Sequence, residues 1–199
     1  EFIKEVTDGL LPPPGYFGMN VAMNKQGYNS FSSVLKNGML TLDAAAFKKS
    51  VEEHEALVLD TRPASDFVKG FIPGSVNIGL DGDFAPWAGT LIRDVNQPLL
   101  LVTPEGKEEE TITRLSRVGF DHVLGCLAGG FATWVSSGME IDRVNRISAA
   151  EFAEQLPHTH ADVIDIRKES EYATEHVEGA VNKPLAYIND WISELDPEE

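Results

Sequence analysis

The segment Leu59–Leu80, LDTRPASDFVKGFIPGSVNIGL, returns as Ile164–Leu185, IDIRKESEYATEHVEGAVNKPL, at a constant offset of 105 residues. Asp60/Asp165, Arg62/Arg167, Ser65/Ser170, Gly74/Gly179, Val76/Val181, Asn77/Asn182 and Leu80/Leu185 are identical, and Asp66/Glu171 and Phe67/Tyr172 keep their chemistry. The same offset carries Asp43 to Ser148 and Phe47 to Phe152, and Ser148-x-x-Glu151 has the spacing of a capping box. One gapless offset across separate elements marks a duplicated domain, and at this period it excludes a solenoid. The second copy is partial. Glu199 matches Asp94, and the position matching Thr103 would fall at 208. A sheet without its middle strand exposes apolar edges. The half-copy is therefore expected to lean on the first copy or on another chain.

Within the first copy, Leu99–Val102 is a continuous apolar run opened by Pro98, the pattern of a strand buried on both faces. A turn at Pro104-Glu105-Gly106 follows. Ile112, Leu115 and Val118 then recur at helical spacing, with Gly119 where a helix stops. Further strands are predicted over 56–60, 75–78 and 122–127. Helices are predicted after Asp43, with Phe47 and Val51 inward, over 66–69, and after Gly129-Gly130, with Phe131, Trp134 and Val135 inward. Residues 84–91 read as a loop or short helix with Trp87 turned inward. Alternating strands and helices of this length predict an α/β domain whose parallel sheet has helices on both faces.

Residues 1–38 differ. Leu10-Leu11-Pro12-Pro13-Pro14-Gly15 cannot be helical, and Tyr16, Phe17, Met19, Val21, Met23 and Tyr28 are too apolar for a free linker. This stretch reads as an arm packed on a neighbouring surface. The organisation is then an arm over 1–38, a complete domain over 39–145 and half a domain over 146–199.

The net charge of −16, from 16 basic and 32 acidic residues, argues against nucleic acid and anionic membrane surfaces as partners. No apolar run reaches the length of a membrane span. The single cysteine precludes an intrachain disulfide and points to a reducing cytoplasm.

In open α/β sheets ligands sit where a strand hands over to a helix. Here that loop is Thr103, Pro104, Glu105, Gly106, Lys107, Glu108 and Glu109. It holds no thiol, and the threonine has no neighbouring histidine to act as a base. Glu108, Glu109 and Glu110 satisfy the helix dipole internally and repel an external anion.

Leu59-Asp60-x-Arg62, Asp66-Phe67, Gly70, Ile72-Pro73-Gly74-Ser75-x-Asn77 and Leu127-x-Gly129-Gly130-x-x-x-Trp134 together resemble a rhodanese domain, over residues 40–140 and in part over 147–199. The resemblance implies a rhodanese-like fold with a five-stranded parallel sheet. It also implies sulfur transfer through a cysteine persulfide in a loop of the form Cys-x-x-Gly-x-Arg, where backbone N–H groups and a helix dipole favour the thiolate. In this chain Thr103 takes the cysteine position, Gly106 keeps the glycine and Glu108 replaces the arginine. The first copy is therefore expected to be catalytically silent.

Thr7-Asp8-Gly9-Leu10-Leu11-Pro12-Pro13-Pro14-x-Tyr16-Phe17 and Asn20-Val21-x-x-Asn24 are similar to the C-terminal tail of a metallo-β-lactamase-fold enzyme of the persulfide dioxygenase type. That similarity implies a preceding metallo-β-lactamase-like domain as partner, with any Zn or Fe held there and no cofactor in this chain. Homo-oligomerisation is a further partner expectation. The implied role is a non-catalytic scaffold or docking module of a sulfur-handling fusion protein. The alternative is part of an active thiosulfate sulfurtransferase whose catalytic cysteine lies beyond Glu199.

Cys126 lies on a strand before Gly129-Gly130, away from the loop, and reads as a buried structural cysteine. His158-x-His160-x-Asp162 is a fragment of a zinc motif, but position 163 is valine, and a surface loop is the better reading. Asp60 with Arg62, and Asp165 with Arg167, read as ion pairs that lock the fold.

Overall fold

A computed structural model describes residues 30–158 and 161–195. The first copy opens with α1 (Phe31–Gly38), capped by the Ser30 hydroxyl, and continues with β1 (Thr41–Leu42) and α2 (Ala44–His54). The Asp43 carboxylate caps α2 by accepting the Ala46 N–H at 2.8 Å, and Phe47 is fully buried beneath it. Then come β2 (Leu57–Asp60), the single turn α3 (Ala64–Phe67), β3 (Val76–Asn77) and α4 (Phe84–Leu91). The domain closes with β4 (Leu99–Val102), α5 (Glu108–Ser116), β5 (Val123–Leu127) and α6 (Gly130–Ser136).

The five strands form one parallel sheet in the order β1-β5-β4-β2-β3. β4 is central, and all four of its residues are buried. Strand side chains alternate between faces. Leu99 and Leu101 pack with Val34 of α1, Phe84 and Ala88 of α4, and Ile112 and Leu115 of α5. Leu100 and Val102 pack on the other face with Phe47 of α2 and Trp134 of α6. This double burial is why β4 reads as an unbroken apolar run.

Two inward expectations are corrected. Trp87 is 37% exposed, and Phe84 and Ala88 turn to the sheet in its place. Val135 is 46% exposed, because one turn of α6 can aim only Phe131 and Trp134 at the sheet. The arm reading for 1–38 falls mostly on residues 1–29, outside those described. Its last part is α1, which places Val34 in the core.

The second copy builds α7 (Ala149–Gln155), β6 (Ile164–Asp165), α8 (Glu169–Thr174), β7 (Val181–Asn182) and α9 (Ile188–Trp191). Ser148 and Glu151 form the reciprocal capping box. β6 and β7 pair parallel in a sheet of two strands, matching β2 and β3. This half rests on the first copy through Asn189, whose side-chain amide donates to the carbonyls of Thr90 and Leu91 at 3.2 and 3.1 Å. These carbonyls end α4 and have no helical partner.

Candidate functional site

β4 delivers Thr103 to the C-terminal edge of the sheet, where the residue is 5% exposed. The chain turns tightly there. The Lys107 N–H donates to the Pro104 carbonyl at 3.1 Å, and Gly106 adopts φ +74°, a region that L side chains rarely enter. α5 begins at Glu108 with Glu108, Glu109 and Glu110 in its first turn. The Thr103 hydroxyl donates to Glu108 Oε1 at 3.1 Å. Lys107 Nζ binds Glu110 at 2.8 Å, which raises the lysine and lowers the glutamate relative to their ordinary values. The positive end of α5 therefore already faces its own carboxylates.

The loop borders an open cleft of about 680 Å³, walled by Arg62, Thr103, Glu105, Glu108, Gly130 and Phe131 among others. Among the described residues Arg62 is the one cation in that wall, and its Nε and Nη2 donors are engaged. Its Nε and Nη2 reach Asp60 at 3.0 and 2.6 Å, and Nη2 also donates to the Gly70 carbonyl at 2.9 Å. Its guanidinium lies 4.0 Å from the centre of the Phe131 ring. Asn77 completes the lock, donating its side-chain amide to the carbonyls of Asp60 and Arg62, each at 2.9 Å.

The second copy repeats the lock. Arg167 Nε and Nη2 reach Asp165 at 3.0 and 2.5 Å, and Nη2 donates to the Glu175 carbonyl at 2.8 Å. Asn182 bridges the carbonyls of Asp165 and Arg167 at 2.9 and 3.0 Å. Arg167 holds the Asp165 carboxyl below the usual carboxylate range. The difference is exposure: the Arg62 side chain is 13% exposed and the Arg167 side chain 47%.

Cys126 stands inside the sheet, level with Leu101 on β4 and Thr41 on β1. Its thiol donates to the Gly38 carbonyl at 3.4 Å. Burial, and then the Glu108 charge, push that thiol up to about 12. Thiolate chemistry is therefore closed to it at neutral pH.

Of the sequence-marked residues, the structure brings Thr103, Pro104, Glu105 and Glu108 together with Arg62 at one cleft. Lys107 faces Glu110 instead, and Cys126 lies within the core. The bond between Thr103 and Glu108 escapes sequence reasoning, because a five-residue separation across a turn belongs to no helical or strand period. His158 is exposed in a short 3-10 turn, while His160 lies outside the described residues. Among the described residues no group of three His, Cys, Asp or Glu is placed to hold a metal ion. None of their helices is long and apolar enough to cross a membrane.

The pattern of the rhodanese-like domain matches residues 43–137 and again 148–199. The chain belongs to the rhodanese-like family. The uncharacterized protein YibN of Escherichia coli K12 is 30% identical over 94 residues, 47% of this chain and 65% of YibN. The YibN of Escherichia coli O6:H1 matches equally. The chain thus spans just under two thirds of these curated relatives. The Alr3790 protein from Anabaena sp. is 22% identical with a TM-score of 0.46, over 59% of this chain and 90% of that one. A thiosulfate sulfurtransferase from Pseudomonas aeruginosa is 18% identical with a TM-score of 0.43, over 80% of this rhodanese-like chain and 34% of that enzyme.

Proposed function

We propose that this rhodanese-like chain is a non-catalytic module, a scaffold or docking domain that positions a sulfur-handling enzyme. The observation that carries the reading is the bond from Thr103 to Glu108. A persulfide needs a thiolate at the head of the loop and cationic or N–H donors around it. Here the head is an alcohol, its hydroxyl is spent on a carboxylate, and the Arg62 guanidinium in the wall turns its Nε and Nη2 to Asp60. The partner in this reading is a preceding metallo-β-lactamase-like domain, which would hold any Zn or Fe. The module itself needs no cofactor and works in the cytoplasm. The exposed apolar residues Ile166, Val181 and Ile192 of the second copy favour a covered surface, against that partner or a second copy of the chain.

The test is thiosulfate-to-cyanide sulfur transfer by the whole chain, with turnover expected at the buffer background. Turnover above buffer that survives Cys126→Ser would overturn the reading. The double variant Thr103→Cys, Glu108→Arg is expected to gain one sulfur atom from thiosulfate, releasing sulfite, as read by mass spectrometry.

One observation favours a second reading, an active thiosulfate sulfurtransferase with its cysteine beyond Glu199. The second copy rebuilds the complete lock of Asp165, Arg167 and Asn182. A Cys-x-x-Gly-x-Arg run near position 208 of the natural reading frame would support it, and any other run there would end it.

A further inference from the structure

A second hollow, of about 170 Å³, opens on the sheet face covered by α2 and α6, beside the first half of β2 rather than at the C-terminal edge. Its walls include Val51, Val58, Ile72, Trp134 and Met139. Val58, Ile72 and Trp134 are buried side chains of the core. Trp134 is held from two sides. Its indole N–H donates to the Glu140 carbonyl at 2.8 Å, and Phe47 meets its ring edge-on at 6.1 Å. The wall is thus set in position before any ligand arrives.

The rim is charged. Lys48, Glu52 and Glu140 border the opening and are exposed, and among the described residues none of the three forms a salt bridge. Two carboxylates stand against one ammonium, on a chain of net charge −16.

We propose that this hollow is a socket for a single aromatic ring carrying a cationic group. Size sets the ring: an apolar cavity of about 150 Å³ lined by aliphatic and aromatic side chains admits benzene. The walls favour an apolar group because the half-buried Val51 and Met139 offer it aliphatic surface over the buried Trp134. The rim then selects the charge, since a cation leaving the apolar floor meets a net negative mouth. Nothing in this socket depends on the loop at Thr103.

The experiment titrates the whole chain with phenethylamine and follows the indole N–H of Trp134 by NMR, assigned with Trp87→Phe and Trp191→Phe variants. A saturable shift is expected. Benzyl alcohol should bind several-fold more weakly, phenylacetate at least tenfold more weakly, and butylamine should give no shift. Val51→Phe fills the hollow and should weaken phenethylamine at least tenfold. Met139→Phe serves the same purpose if Val51→Phe does not fold. Glu52→Gln with Glu140→Gln should bring phenethylamine down to the affinity of benzyl alcohol. The proposal is overturned by the absence of a saturable shift, by a shift that survives the filling variant, or by phenylacetate binding as well as phenethylamine.

Discussion

Replacing Arg62 by Met tests how burial sets the worth of the repeated lock. Asp60 is fully buried. Three of its hydrogen bonds come from the Arg62 side chain, from Nε to both carboxylate oxygens at 3.0 Å and from Nη2 at 2.6 Å. Arg62→Met leaves that carboxylate with the backbone N–H of residue 62, at 3.0 Å, and no counter-charge. Orphaning a buried ion costs about 3–5 kcal/mol. For a chain of this size that lowers Tm by roughly 6–20 °C. Arg167→Met removes a pair of nearly the same geometry from a place where the arginine is 47% exposed. The Asp165 side chain is 11% exposed, but water enters where the half-exposed arginine stood and solvates the carboxylate, so the loss should be smaller than at Arg62. Thermal and urea unfolding of the whole chain, read by circular dichroism, compare the two. The double variant Asp60→Leu, Arg62→Met separates the orphaned charge from the pair itself, and should fall less far than Arg62→Met alone. Equal losses at the two arginines, or a loss below about 1 kcal/mol at Arg62, would mean that burial does not set the worth of the lock.

Three further outcomes follow from the geometry. The Cys126 thiol stands at about 12 in the fold, against 9.0 for a free thiol. Its contribution to stability is therefore complete below pH 9 and is lost as pH climbs from 9 towards 12. Urea unfolding across that window should show the protein declining by about 1.4 kcal/mol per pH unit more steeply than Cys126→Ala, and parallel curves would contradict the assignment. Gly125→Ala would set a Cβ 2.6 Å from the Leu40 carbonyl oxygen at φ +155°. That oxygen already accepts the Cys126 N–H at 2.8 Å, so the change should cost about 3 kcal/mol, whereas Gly79→Ala, with its nearest atom at 3.7 Å, should be close to neutral by the same unfolding assay. Asn189→Ala frees the carbonyls of Thr90 and Leu91. Amide exchange over 188–192 should quicken while the first copy's unfolding midpoint holds, and unchanged exchange would mean that this contact does not seat the second copy.

The parts of the fold that can be read from the chain are those written in a local pattern. Leu99–Val102 announces the central strand because both of its faces are apolar. Asp43 announces α2 because a cap is a short-range bond. Thr41–Leu42 carries no such pattern. It is a two-residue edge strand fixed only by its register with Cys126 and Leu127, far away in sequence. Trp87 and Val135 mislead for another reason. Both are apolar residues on helices of about two turns, and hydrophobicity alone does not choose which neighbour faces the sheet. At the site, the change of Thr for Cys and Glu for Arg is visible in the sequence. That Glu108 takes the Thr103 proton donor, and that Phe131 lies over Arg62, depends on how the turn at Gly106 and the two glycines that open α6, Gly129 and Gly130, bring separated stretches together.

The bridging amides of Asn77 and Asn182 have a consequence for how the polypeptide orders itself. Each closes back on carbonyls only 17 and 15 residues earlier. Hydrogen-bond distances agree within 0.1 Å whether five strands surround the hook or two. A hook whose shape ignores the rest of the sheet is governed by nearby chain alone, and short loops are inexpensive to close. Such local closures lower contact order, and the chain holds one in each half.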